Sequence, residues 1–94
     1  MQIQINTDHN VEGHAALIAH VSGVVEHSLS RFSKHITRVE VHLGDENADK
    51  RGGLDKRCMI EVRFEHRQPI AVTDRATDVN AAVRGAVEKL IRLI

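Results

Sequence analysis

Tryptophan and tyrosine are absent from this chain, and two phenylalanines, Phe32 and Phe64, make up its whole aromatic complement. Readers of single-stranded nucleic acid stack bases on aromatic platforms, and the shortage of rings argues against a platform of that kind. Cysteine is limited to Cys58, which excludes an internal disulfide and any multi-cysteine metal site. Because Cys58 falls inside an apolar alternation, it is expected to be a buried structural thiol. No stretch approaches the ~18 consecutive apolar residues that suggest a membrane span. The opening MQIQINTDHN has neither the basic segment nor the apolar core of a secretory signal, so a cytoplasmic protein is expected.

Net charge is lacking too: 13 Lys and Arg balance 13 Asp and Glu. The chain as a whole is therefore no electrostatic glue, and an anionic partner must be met by a local patch. The balance hides an asymmetry. Residues 1–30 carry Asp8, Glu12 and Glu26 with no Lys or Arg, whereas residues 31–94 hold all 13 basic side chains. Nine of those are Arg, whose planar fork matches phosphate oxygens better than the point charge of lysine.

What is present is an aliphatic pattern that changes period along the chain. A chain of 94 residues has room for one hydrophobic core, so residues 1–94 are read as a single domain. Gln2–Asn6 alternates polar and apolar, with Ile3 and Ile5 on one side, as a half-buried strand does. From about Gly13 to Phe32 the apolar residues Ile18, Val21, Val25, Leu29 and Phe32 recur at helical spacing. Ile36–Leu43 returns to a period of two through Val39, Val41 and Leu43. The polar, glycine-containing stretch Gly44–Asp55 reads as a loop. Lys56–Glu65 alternates again, with Cys58, Ile60, Val62 and Phe64 inward. His66–Pro69 is a turn, and Pro69, lacking an amide hydrogen, belongs at a strand start or an edge. Ile70–Thr73 forms a shorter strand. Thr77 or Asp78 can cap a final helix whose apolar stripe runs from Val79 through Ala82, Val83, Ala86, Val87 and Leu90 to Ile94.

The element order is thus β-α-β-β-β-α, an α+β fold. Half-polar strands need one covered face, and two one-sided helices supply the cover. The expected architecture is a four-stranded, mainly antiparallel sheet with both helices on one face. Arg38, Glu40, His42, Glu61, Arg63 and Glu65 would line the open face, with cross-strand ion pairing as their expected role.

Patterns for catalysis and for metal or phosphate binding are missing. Seven histidines are present, but no HExxH motif. His20 and His27 share a helical face at a separation of roughly 10 Å, too far for one zinc ion. The loop GDENADKRGG places Lys50 and Lys56 where a calcium loop requires glycine and glutamate, and its glycines do not form a phosphate loop. Cys58 has no activating neighbour in sequence. No metal, cofactor, small-molecule substrate or enzymatic activity is expected. Basic residues remain: Arg31 and Lys34 at the end of the first helix, Lys56 and Arg57 beside the loop, and Arg84, Lys89 and Arg92 on the last helix. On composition alone they are solvated surface or complements to helix dipoles.

The segment Thr77-Asp78-Val79-Asn80-Ala81-Ala82-Val83-Arg84-Gly85-Ala86-Val87-Glu88-Lys89-Leu90 resembles the last helix of the ribosome hibernation-promoting factor family, also described as ribosome-associated inhibitors or sigma-54 modulation proteins. The opening MQIQINTDHNVEGHAAL is similar to that family's first strand and helix start. Phe32 followed by Ile36-Thr37-Arg38-Val39-Glu40-Val41 is similar to its passage from helix to strand. The resemblance implies a fold akin to double-stranded-RNA-binding domains. It also implies a non-catalytic domain that occupies the messenger and transfer RNA channel of the small ribosomal subunit, inhibiting translation or stabilising idle ribosomes. Contacts would run from Arg31, Lys34, Lys56, Arg57, Arg84, Lys89 and Arg92 to ribosomal-RNA phosphates. A small protein-interaction module on the same fold is the alternative. Asn80 stands where the family usually has Tyr, Arg84 where it has an acidic residue, and histidines where its first helix has lysines.

A free imidazole gains charge as pH falls toward 6, so His14, His20 and His27 would offset the acidic first third of the chain. RNA affinity is expected to rise between about pH 8 and pH 6 at fixed salt; a flat titration would show that these histidines stand away from the anion.

Overall fold

The computed structural model describes residues 1–8, 11, 15–46 and 53–94. Four strands, β1 (Gln2–Thr7), β2 (Ile36–Asp45), β3 (Lys56–Phe64) and β4 (Ile70–Ala76), alternate with helices α1 (Ala15–Leu29) and α2 (Val79–Leu93) in the order β1-α1-β2-β3-β4-α2. The strands lie side by side in that same order. β1 pairs with β2 in parallel, and β2–β3 and β3–β4 are antiparallel. The one parallel pair is the one bridged by a helix, since parallel neighbours need a long crossover while antiparallel ones need only a turn.

One aliphatic core holds these pieces together. Val21, Val25 and Leu29 of α1 and Ala82, Val83, Ala86, Val87 and Leu90 of α2 meet Val39, Val41, Leu43, Cys58, Ile60, Val62 and Val72 of the sheet. Both helices therefore cover the same face. Each fully buried Val, Leu or Ile contributes roughly 1.5–3 kcal/mol through removal from water. Asp78 is the N-cap of α2: its backbone is extended and its Oδ1 accepts a 2.8 Å hydrogen bond from the amide of Ala81.

Three departures from the periodic reading have local causes. The expected continuation of α1 to Phe32 tightens instead into a 3₁₀ turn, Ser30–Phe32, where Ser30 Oγ donates to the carbonyl of His27. β2 runs two residues past Leu43, because Gly44 and Asp45 still find partners opposite Arg57 and Lys56. Within β2, Ile36 and Val39 are both buried although they stand three apart, which a regular strand forbids. A bulge at Thr37 supplies the extra residue, and Thr37 Oγ1 donates to the carbonyl of Arg63. The expected helix start at Gly13–His14 and loop residues 47–52, with Lys50 and Arg51, lie outside the described residues.

The open face corrects one expectation. Register sets Arg38 opposite Arg63 and Glu40 opposite Glu61, like charge against like. Ion pairs form along the strands instead, Arg38 with Glu40 at 3.8 Å and Arg63 with Glu61 at 3.2 Å, while Arg38 also donates to Gln2 and Gln4 of β1. Residues two apart on a strand share a face, so each cation meets its carboxylate without crossing the ladder.

Cys58 is fully buried on the inner face. Burial, helped by the nearby Asp74 carboxylate, pushes its thiol from an ordinary 9.0 up to about 12. The folded protein then keeps the thiol proton over a range where the unfolded chain has lost it. Stability from this group is present below pH 9.0 and drains away as pH rises toward about 12. The native thiol is expected to resist alkylation at about pH 8 and to react once the chain is unfolded. Rapid native labelling, followed by mass spectrometry, would show the packing to be looser than described.

Candidate nucleic-acid interface

Cations become a site only where nearby carboxylates leave them free, and the two ends of this sheet differ in that respect. At the end where β2 stops and β3 begins, Lys56 Nζ sits 2.9 Å from Asp45 Oδ2 and 3.6 Å from Asp55 Oδ1. Both carboxylates are buried, and Asp45's hydrogen bond is the main cause holding the lysine above its ordinary 10.5. Arg57 Nε lies 3.6 Å from Glu46, which Arg75 also grips. Around the outer edge of β4, Lys89 Nζ reaches back to Asp74 Oδ1 at 2.9 Å and the carbonyl of Thr73 at 2.8 Å. Lys56, Arg57 and Lys89 are thus charge-compensated. Releasing any of them toward phosphate means breaking an existing pair.

The opposite end is different. There the 3₁₀ turn, the β3–β4 turn and the last turn of α2 converge on a cleft of about 310 Å³ lined by Phe32, His35, Phe64, Glu65, His66, Arg67 and Ile94. The amide of Glu65 donates to the carbonyl of His35, tying two of these segments together. Arg31, Lys34 and Arg92 flank lining residues in sequence, and Arg67 is itself one. All four are exposed, and among the described residues none has a carboxylate within ion-pairing distance. The Arg31 guanidinium lies 4.8 Å from the centre of the Phe32 ring and that of Arg67 lies 4.5 Å from Phe64. Ring stacking holds a guanidinium in place without neutralising it. Glu65 is the carboxylate among the cleft's lining residues, so this end is net positive.

Arg84 stands apart on the exposed side of α2. It lines the groove between the helices with His20, Val21, Val24, Asn80 and Val83, and it too has no ion-pair partner among the described residues. Of the seven cations expected to act, Arg31, Lys34, Arg84 and Arg92 have no ion-pair partner among the described residues, whereas Lys56, Arg57 and Lys89 are engaged. Arg67 joins the first group. Sequence reading passed over it because it sits in a turn, remote from either helix, and only the closing of that turn onto Phe32 and Ile94 brings it into company. Among the described residues no group of three His, Cys, Asp or Glu side chains could hold a metal ion.

A family model described as sigma 54 modulation protein / S30EA ribosomal protein matches residues 3–94. The chain belongs to this family. Solved structures agree on the fold. The N-terminal domain of Protein Y from Thermus thermophilus superposes with a TM-score of 0.68 at 24% identity, covering 96% of this chain and 91% of that one. A ribosomal subunit interface protein from Coxiella burnetii gives 0.69 at 19% identity, covering 96% and 89%. No curated protein matches the sequence. This S30EA-family domain thus shares its fold with both structures.

Gly85 explains how Lys89 is held back. A Cβ at this position would fall on the Asp74 carboxylate, within 2.6 Å of its Cγ, so α2 can approach β4 this closely only without a side chain there. Gly85→Ala is expected to cost about 1–3 kcal/mol, because the buried side of Asp74 must shift and its pair with Lys89 must break. Urea denaturation measures this; an unchanged midpoint would mean that Asp74 turns aside freely.

Proposed function

We propose that this domain is a non-catalytic, ribosome-associated factor that docks in the messenger and transfer RNA channel of the small subunit. It would inhibit translation or stabilise idle ribosomes by filling that space. Family membership and the likeness to a ribosomal subunit interface protein support association with the ribosome. The observation that carries the docking mode is the uncompensated positive end, Arg31, Lys34, Arg67 and Arg92, in a chain whose formal net charge is zero.

Neutrality overall and positivity at one end have a definite consequence. Long-range attraction to RNA is weak, so binding depends on the few cations that reach phosphates at contact distance, within a Debye length of about 8 Å. Each neutralised phosphate releases condensed counterion, so affinity falls with salt in proportion to the number of contacts. Arginine suits this role because its fork can span two phosphate oxygens. Recognition would follow shape, since phosphate contacts position a protein without reading sequence. Blocking translation then requires no chemistry, only occupancy. The cytoplasm is where such a factor meets its ribosome.

Co-sedimentation with purified small subunits over a salt series tests this reading. Arg31→Gln, Lys34→Gln and Arg92→Gln together are expected to weaken binding by at least about tenfold and to flatten the salt dependence by about two to three contacts, with the fold unchanged. Unaltered sedimentation of the triple variant would remove this end of the domain from the interface.

A further inference from the structure

The chain's two aromatic rings, so few in composition, are both placed in one cleft. Five of the seven residues lining it present flat π-systems: the rings of Phe32 and Phe64, the imidazoles of His35 and His66, and the guanidinium of Arg67. Arg67 is already layered over Phe64 at 4.5 Å and is exposed on its outer side. The remaining lining side chains are the aliphatic Ile94 and the carboxylate of Glu65. At about 310 Å³ the cleft stands at the small end of the ~300–1,000 Å³ range of ligand pockets, suited to a single flat ring system.

We propose that the cleft between Phe32, Phe64 and Arg67 receives an unpaired nucleobase of RNA, stacked on the Arg67–Phe64 layer. The proposal rests on the RNA-docking reading above and adds a base contact to its phosphate contacts. Charge complementarity argues for this occupant over an apolar protein side chain. Arg67 lines the cleft, Arg31 lies against its Phe32 ring, and Lys34 and Arg92 adjoin lining residues in sequence. Among the described residues none of the four pairs with a carboxylate, and a nucleotide entering base-first would bring its phosphates toward these cations. Glu65 fits the same picture, because base edges carry amino and imino hydrogens that a carboxylate can accept, whereas a phosphate would be repelled. Splayed-out bases in loops and bulges are the part of structured RNA that proteins read by stacking on aromatic, histidine and arginine planes. Helical RNA offers no such base. The cleft would thus favour RNA with a loop or bulge over a plain duplex.

The test uses a short RNA hairpin carrying the fluorescent base 2-aminopurine, either in its apical loop or in its stem. The chain has no Trp or Tyr, so protein emission does not interfere. The wild-type protein is expected to bind the hairpin at least about fivefold more tightly than a fully paired duplex of equal charge, and to change 2-aminopurine emission only from the loop position. Arg67→Lys keeps the charge and removes the plane; Arg67 is an exposed turn residue, so the fold tolerates the change. This variant is expected to lose the loop preference, its affinities for hairpin and duplex becoming equal. Equal wild-type affinity for hairpin and duplex overturns the proposal, as does a loop preference that survives Arg67→Lys. Perturbation of the Phe32 and Phe64 ring resonances by a leucine-rich peptide, with loop emission unchanged, also overturns it and marks a protein partner. The hairpin assay contains no ribosomes, so its outcome and that of small-subunit co-sedimentation stand or fall separately.

Discussion

Covering the sheet on one face only is the constraint from which the rest of this molecule follows. Both helices bury their apolar stripes against the inner residues of β1 to β4, so the inward positions are mostly apolar and the outward ones are left to water. A slip of one residue in any strand would exchange the two sets, which makes register a property of the core. The bulge at Thr37 shows the strength of this demand: the backbone deforms so that Ile36 and Val39 can both be buried. The same demand places Asp74 on the inner side of β4, where close approach at Gly85 and the pair with Lys89 accommodate it.

Charge follows from that packing. With its total near zero, the domain's surface potential depends on which cations are answered by carboxylates. Carboxylates concentrate where the β2–β3 connection begins and ends, so Lys56, Arg57 and Arg75 are answered there. The far end receives the closing turns of three segments, poor in acidic residues and rich in flat side chains. Among the described residues the unpaired cations therefore gather mainly at one end, with Arg84 apart on α2. Affinity built this way rests on contact geometry more than on long-range steering, which suits the proposed docking on a shaped RNA surface.

The fold was largely legible in the residues. Alternation in Gln2–Asn6, Lys56–Glu65 and Ile70–Thr73, and three–four spacing from Ile18 to Leu29 and from Val79 to Ile94, carry their own periods and need no partner to be read. The site was legible only in part. Arg31, Lys34, Arg84 and Arg92 could be picked out as helix-end or helix-face cations, and among the described residues no carboxylate pairs with them. Lys56, Arg57 and Lys89 looked the same in sequence, yet Asp45, Glu46 and Asp74 engage them. Arg67 carried no signal at all, since nothing in the turn HRQP announces that it will lie over Phe64.

By itself, then, the sequence determined the element order, most of the inward set of side chains, a cap at Thr77 or Asp78 and the burial of Cys58, because these arise from local periodicity and from burial that any packed arrangement would impose. Tertiary structure alone decided which cations are spent on carboxylates and which face outward, and that two scattered phenylalanines would share one cleft. Pairing and clustering depend on distances across the sheet, between residues such as Arg31 and Arg67 or Phe32 and Phe64 that lie more than thirty positions apart in the chain. No local pattern encodes those distances until the strands are in register.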